Sequence, residues 1–197
     1  IIAPGTPPTA VNVTYTVNED AELITTDPDR RSTTNFQPDD GVTANDINPD
    51  HRVLGVELVE GPTSAKFFEL RSDGTFTYRP DDHFWGTDLF TYRVNDGILN
   101  SNNIGTVTII VREVNDPPIA NDDTFSTNKN TPLAIDVASV LANDSPGPNE
   151  ANQVISVTAV QKNSTARGLV RLGQGVITHT PAQSFSGLDT FTYPITP

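Results

Sequence analysis

The chain repeats itself. Residues 84–92, FWGTDLFTY, return as FSGLDTFTY at 185–193, and residues 74–80, GTFTYRP, return as GVITHTP at 175–181. GVTANDINPD at 41–50 is echoed by SVLANDSPGP at 139–148, and TYTVNEDAEL at 14–23 more weakly by TFSTNKNTPL at 124–133. The order of the segments is kept, with offsets of 110 (124 − 14), 98 (140 − 42) and 101 (185 − 84). A repeat of about 100 residues fixes the size of the folding unit, so 197 residues hold two of them. The spacing places the domains at 1–117 and 118–197, with an insertion near 25–40 in the first copy and a smaller one near 146–153 in the second.

Between the turns the pattern is that of strands. Val11, Val13, Tyr15 and Val17 alternate with polar residues, as do Leu54, Val56 and Leu58. The same holds for Phe76 and Tyr78, for Phe90, Tyr92 and Val94, and for Val107, Ile109 and Val111. A period of two marks a half-buried strand. SDG, FWG, NDG and GPT supply turn residues between these runs, and no stretch carries a helical period. The expected fold class is all-β: two tandem antiparallel β-sandwiches of roughly 100 residues each. The second copy ends without a counterpart of VNDGILNSNNIGTVTIIVREVND, so its last strand is expected to be missing. An apolar sheet edge would then be left open, a hazard for strand exchange.

Charge narrows the function. The formal net charge is −13, from 25 acids against 12 bases. Such a chain repels nucleic acid and anionic lipid, which need Lys or Arg for neutralisation. It suits divalent cations, hard acids that seek carboxylate and carbonyl oxygen. Cysteine is absent, which excludes disulfides, thiolate zinc sites and a cysteine nucleophile. No apolar run approaches the roughly 18 residues that span a bilayer. No signal peptide is visible, and the chain reads as a piece of something longer.

DGTFTYRP, FWGTDLFTYRVNDG and VNDPP together resemble the bacterial cadherin-like, immunoglobulin-like tandem repeats of large exported proteins of the RTX-adhesin kind. The resemblance covers the first copy and most of the second. It implies Greek-key β-sandwiches at a bacterial cell surface or outside the cell, serving extension, adhesion or ligand presentation, often with calcium at the joints. A more distant likeness is to true cadherin repeats. EVNDPP is similar to their linker, placing Asn115 and Asp116 as ligands, although Pro117 stands where the final Asn belongs. VNED resembles their early acidic motif and implies Glu19. Asp81 and Asp82 fall in the region of the mid-repeat acid loop without matching its triplet. ANDS keeps Asp144 of an Asp-x-Asp motif.

Calcium takes about six to eight oxygens, so its ligands must come from several segments. If the first and last strands of a repeat run the same way, Glu19 and Asn115-Asp116 finish at one pole. Crowded carboxylates there repel each other until a cation offsets them. The expectation is one or two calcium ions at the domain joint, held by Glu19, Asn115 and Asp116 with Asp81, Asp82 and Asp144 behind them. Pro117 and Pro118 would stiffen the linker further. NDINPD, residues 45–50, with Asp96, is a second oxygen-rich cluster at the other end of the first domain. The plain alternative is that Asn and Asp before Pro simply end a strand.

Other chemistry finds little support. His51, His83 and His179 lack zinc-ligand spacing, and His179 falls where the first copy has Tyr78. No nucleophile elbow, P-loop or dinucleotide glycine motif is present. The expected role is a non-catalytic extender or adhesion module with neighbouring repeats as its partners. The alternatives are a carbohydrate- or peptide-binding module using Trp85, with a surface protein or glycan as ligand, and a metal-independent spacer.

Overall fold

The computed structural model describes residues 5–26 and 40–197 and separates the chain into two compact units, Ile1–Val114 and Asn115–Pro197. The first-copy insertion lies almost entirely outside the described residues. Each unit is a β-sandwich, as the alternation indicated.

The first unit contains β1 (Val13–Asn18), β2 (Leu23–Ile24), β3 (Gly55–Glu60), β4 (Ala65–Leu70), β5 (Phe76–Pro80), β6 (Gly86–Asn95) and β7 (Gly105–Arg112). They form a sheet in the order β1-β7-β6-β3 facing a sheet in the order β2-β5-β4. All pairings are antiparallel except β1 with β7, which run parallel in the register Val13 to Val107 through Asn18 to Arg112. Both strands therefore finish at the same end.

Alternation decides the core. Val13, Tyr15 and Val17 of β1, Phe90, Tyr92 and Val94 of β6, and Val107, Ile109 and Val111 of β7 are buried, while the residues between them are mostly turned outward. Phe76 and Tyr78 meet them from β5. Phe76 packs edge-on against Tyr15 and Phe90, with ring centroids 4.9 and 5.2 Å apart, a favoured arrangement of ring quadrupoles. β3 departs from the pattern. Its register shifts between Leu58 and Glu60, and Leu58 and Val59 are exposed. A bulge on an edge strand breaks the link between alternation and burial.

The second unit contains β8 (Leu133–Asp136), the single helical turn α1 (Val137–Val140), β9 (Ser156–Val157), β10 (Leu169–Gly173), β11 (Val176–Thr180) and β12 (Ile195–Thr196). Its sheets are β10-β11-β8 and β12-β9. Ile135, Val140, Val170 and Ile177 form a smaller core. Among the described residues it holds no counterpart of β7, and residues 123–128, the repeat of β1, join no ladder. These two facts are one: β1 has β7 as its ladder partner, so without that strand its counterpart has nothing to pair with.

Candidate metal centre

In the first unit, Glu19 follows β1 directly, and its backbone N–H donates to the Arg112 carbonyl, extending the β1–β7 ladder. Its side chain turns inward and is 5 % exposed, with Oε1 accepting from the Val114 N–H at 2.5 Å. Glu19 thus fastens the exit of the last strand to the end of the first. The turn at 81–84 lies at the same end, because Gly86 pairs with Val111. There Asp20 accepts from the His83 N–H at 3.1 Å, and its other oxygen lies 3.5 Å from the His83 ring. Asp81 is exposed, and its N–H donates to the Ser64 carbonyl. Asp82 is exposed and meets Lys66, whose Nζ lies 2.5 Å from both carboxylate oxygens. That ammonium holds the Asp82 carboxyl below its ordinary range.

In the second unit, Asn115 and Asp116 are held by the loop at 145–153. The Asp116 N–H donates to Glu150 Oε1 at 3.1 Å, and Asn115 Oδ1 accepts from Gln153 Nε2 at 2.7 Å. Glu150 is buried, its other oxygen bonded by Gln153. This carboxylate escaped the sequence reading, which treated 146–153 only as an insertion. Asp144 accepts from the Asn121 N–H at 2.7 Å through Oδ1. Its Oδ2 is buried without a partner among the described residues, as is Gln153 Oε1. All these donors are hard oxygens, the kind calcium prefers, and two of them retain accepting capacity.

The repeat picks out acids that tie the fold in both units. Asp46 stands 98 residues before Asp144 and does the same work: it accepts from the Val11 N–H at 2.6 Å, where Val11 is the repeat of Asn121. Asp46 also accepts from the Tyr92 hydroxyl at 2.9 Å. Burial pushes its carboxyl up to about 7, against the pull of these two donors. The same burial, with Asp46 nearby, raises the Tyr92 phenol.

A second repeated acid is Asp88, matched by Asp189. Asp88 is buried and accepts from the N–H groups of Thr63, Ser64 and Leu89 and from the Tyr78 hydroxyl. Asp189 accepts from Ser164 Oγ, the Ala166 N–H and Thr165 Oγ, and lies 2.9 Å from His179 Nε2. Burial alone would raise the Asp189 carboxyl, but these donors outweigh it and hold it down at about 2. Its recurrence in GTDLFTY and GLDTFTY was the signal that could have found it. At the opposite end of the first unit, Asp96 accepts from the Leu99 and Ile98 N–H groups and lies 3.5 Å from Arg52, contacts that lower its carboxyl. Asp50 accepts from the Thr6 N–H. Trp85 is half exposed.

Residues 6–113 match the model of the bacterial cadherin-like domain, and residues 115–196 that of the bacterial Ig domain. Among curated proteins, integrin beta-like protein E of Dictyostelium discoideum is 27 % identical over 200 residues, covering 97 % of this chain. The chain spans 9 % of that relative's length. Among solved structures, human protocadherin-24 EC1-2 aligns with a TM-score of 0.50 at 19 % identity, covering 98 % of this chain and 94 % of that one. That likeness speaks to the fold. An endo-fucoidan hydrolase of glycoside hydrolase family 107 aligns at a TM-score of 0.36 and 16 % identity, covering 96 % of this chain and 26 % of the enzyme, too remote to carry an argument.

Proposed function

Because the chain belongs to the bacterial cadherin-like domain family, we propose that it is a non-catalytic extender or adhesion segment of a bacterial surface or secreted protein, stiffened by calcium. Its partners are neighbouring repeats of a longer chain. The observation that carries this reading is Glu19. A carboxylate 5 % exposed and bonded to the N–H of Val114, where the last strand leaves the domain, supports the reading that an ion bound there would stiffen the exit of that strand. Glu19, Asn115 and Asp116 are the ligands first in line, with Asp81, Asp82 and Asp144 behind them. Calcium would supply the positive charge that lets these carboxylates crowd together. Glu19 orients the exit of β7, and Glu150 and Gln153 hold Asn115 and Asp116 in place. Asp82 must leave Lys66 to take part, and Asp144 shares the structural task of Asp46, so both rank low.

The test is thermal unfolding in excess EDTA, then in millimolar calcium, with magnesium as a control. A calcium-specific rise in midpoint is expected, because an ion bound by the native state alone stabilises it. Coincident curves would reduce the chain to a metal-independent spacer.

A further inference from the structure

The outer face of the four-stranded sheet in the first unit carries an acid-free strip. Alternation turns every second residue outward, over 14–18 on β1, 106–112 on β7 and 87–95 on β6. None of these outward residues is an acid, in a chain with 25 acids and a net charge of −13. The registers set Thr14 beside Thr108 and Leu89, and Thr16 beside Ile110 and Thr87. The strip thus interleaves hydroxyls with aliphatic carbon.

Trp85 and Arg112 close one end of it. Gly86 pairs with Val111, so Trp85 stands opposite Arg112 where the ladder ends, and Asn18 flanks Arg112 from β1. Trp85 is 49 % exposed, while Phe84 before it packs on the core. The fold does not require this ring. The repeat has Ser186 in its place, and the glycine that follows keeps the same turn, with φ of +133° at Gly86 and +140° at Gly187. Arg112 is exposed and makes no ion pair among the described residues. The nearby acids are engaged, Asp82 by Lys66 and Asp20 by the His83 N–H.

We infer that this strip binds an extended glycan bearing carboxylate or sulfate groups, with Trp85 stacked on a sugar ring and Arg112 gripping the acid group. The inference gives the adhesive arm of the proposed function its ligand class and rests on that arm, not on calcium. The C–H face of a sugar lies flat on an indole, and a guanidinium fork matches a carboxylate or sulfate. Threonine hydroxyls both donate and accept, as sugar hydroxyls do. With no acid on the strip, an anion meets Arg112 without repulsion from its neighbours. Size and backbone disfavour other occupants. Three strands, β7 with eight residues the longest outward run beside Arg112, make a strip of about 26 Å by about 14 Å, or about 370 Å². A stable protein partner needs about 800 Å² per side, and a second copy would also bring its own charge of −13. β6 and β7 are interior strands with both edges paired, so an added peptide strand finds no open ladder there. A glycan chain, one ring wide and several rings long, fits the strip.

The test titrates the whole chain, in EDTA, with an oligogalacturonate, a sulfated carrageenan oligosaccharide and a neutral cello-oligosaccharide of equal length. Trp85 is the sole tryptophan, so its fluorescence reports the strip directly. A saturable change with an acidic oligosaccharide is expected, weakening as salt rises and clearly smaller with the neutral one. By calorimetry, Trp85→Ala should weaken binding at least about tenfold. Arg112→Gln should erase the preference for acidic over neutral sugar, and both variants should keep the parent's thermal midpoint. Working in EDTA keeps this result separate from the calcium reading, which the melts decide on their own. The inference is overturned if neither acidic oligosaccharide binds, if the neutral one binds the parent as well, or if either variant binds as the parent does. Self-association that buries Trp85 without any glycan would overturn it too.

Discussion

Asp88 should matter more to the first unit than any of the candidate metal ligands. Its carboxylate collects the N–H groups of Thr63, Ser64 and Leu89 at 3.0, 3.0 and 2.9 Å and the Tyr78 hydroxyl at 3.1 Å. Truncation in Asp88→Ala strands these donors unequally. Thr63 and Leu89 are exposed and Ser64 partly so, so water recovers most of each bond and the loss is about 0.5 kcal/mol apiece. Tyr78 is fully buried, and its hydroxyl, desolvated and left with only a 3.4 Å approach to the Ser64 carbonyl, costs about 2–3 kcal/mol. The sum is about 4 kcal/mol, which for a domain of this size lowers the midpoint by about 15 °C. Scanning calorimetry in EDTA measures this without a metal contribution, and the second unit's transition serves as an internal reference. Adding Tyr78→Phe should recover part of the loss, because the double variant has no stranded hydroxyl. A shift below about 5 °C, or a Tyr78→Phe effect that simply adds to the first, would refute the reasoning.

Asp46, pushed up to about 7 by burial, binds its proton more tightly folded than unfolded, so it favours the native state in acid. The first unit's stability should fall as pH rises from about 4 to about 7, and Asp46→Asn should flatten that slope in a series of melts. Asp189, held at about 2, has the opposite sign: the second unit should keep its contribution above about pH 4 and lose it as pH falls toward 2, and Asp189→Asn should abolish the loss in acid-unfolding curves. Glu19→Gln keeps an acceptor for the Val114 N–H, so the midpoint in EDTA should move little while the rise on adding calcium shrinks; an unchanged rise would remove Glu19 from the ligand set. Phe90→Ala should cost about 3–5 kcal/mol in denaturant melts, and Phe191→Ala markedly less, because its ring is only partly covered. Equal costs would mean that Phe191 is as fully covered in solution as Phe90.

The strands were legible because each inward residue sits on a sheet with one face buried. Phe76, Tyr78, Phe90, Tyr92, Val107 and Ile109 announced themselves by period two and are all buried. Leu58 carried the same signal and lies exposed, since alternation cannot reveal a bulged edge. The helical turn α1 was illegible for another reason. Four residues capped by Asp136, whose Oδ1 accepts from the Ala138 N–H, are too few for a period to develop.

The acids were the harder case, and the repeat explains why. A carboxylate at a turn looks the same in sequence whether it receives backbone N–H groups or awaits a cation. Asp46 with Asp144, and Asp88 with Asp189, recur between the copies, and in both units these pairs bind the chain's own N–H groups. Recurrence across two copies of one fold selects for what the fold itself needs. The acids that do not recur, Glu19 opposite Lys129 and Asp20 opposite Asn130, bind the N–H groups of Val114 and His83, a task that the second unit does not repeat at those positions. Lys129 in place of the acid also means that the far end of the second unit offers no equivalent of Glu19. Calcium binding is therefore expected to be a property of the end of the first domain and not of every domain in the series. A stoichiometry of one or two ions for the whole chain, lost together in Glu19→Ala, would follow from that asymmetry. Ions retained in full by the variant would place them elsewhere.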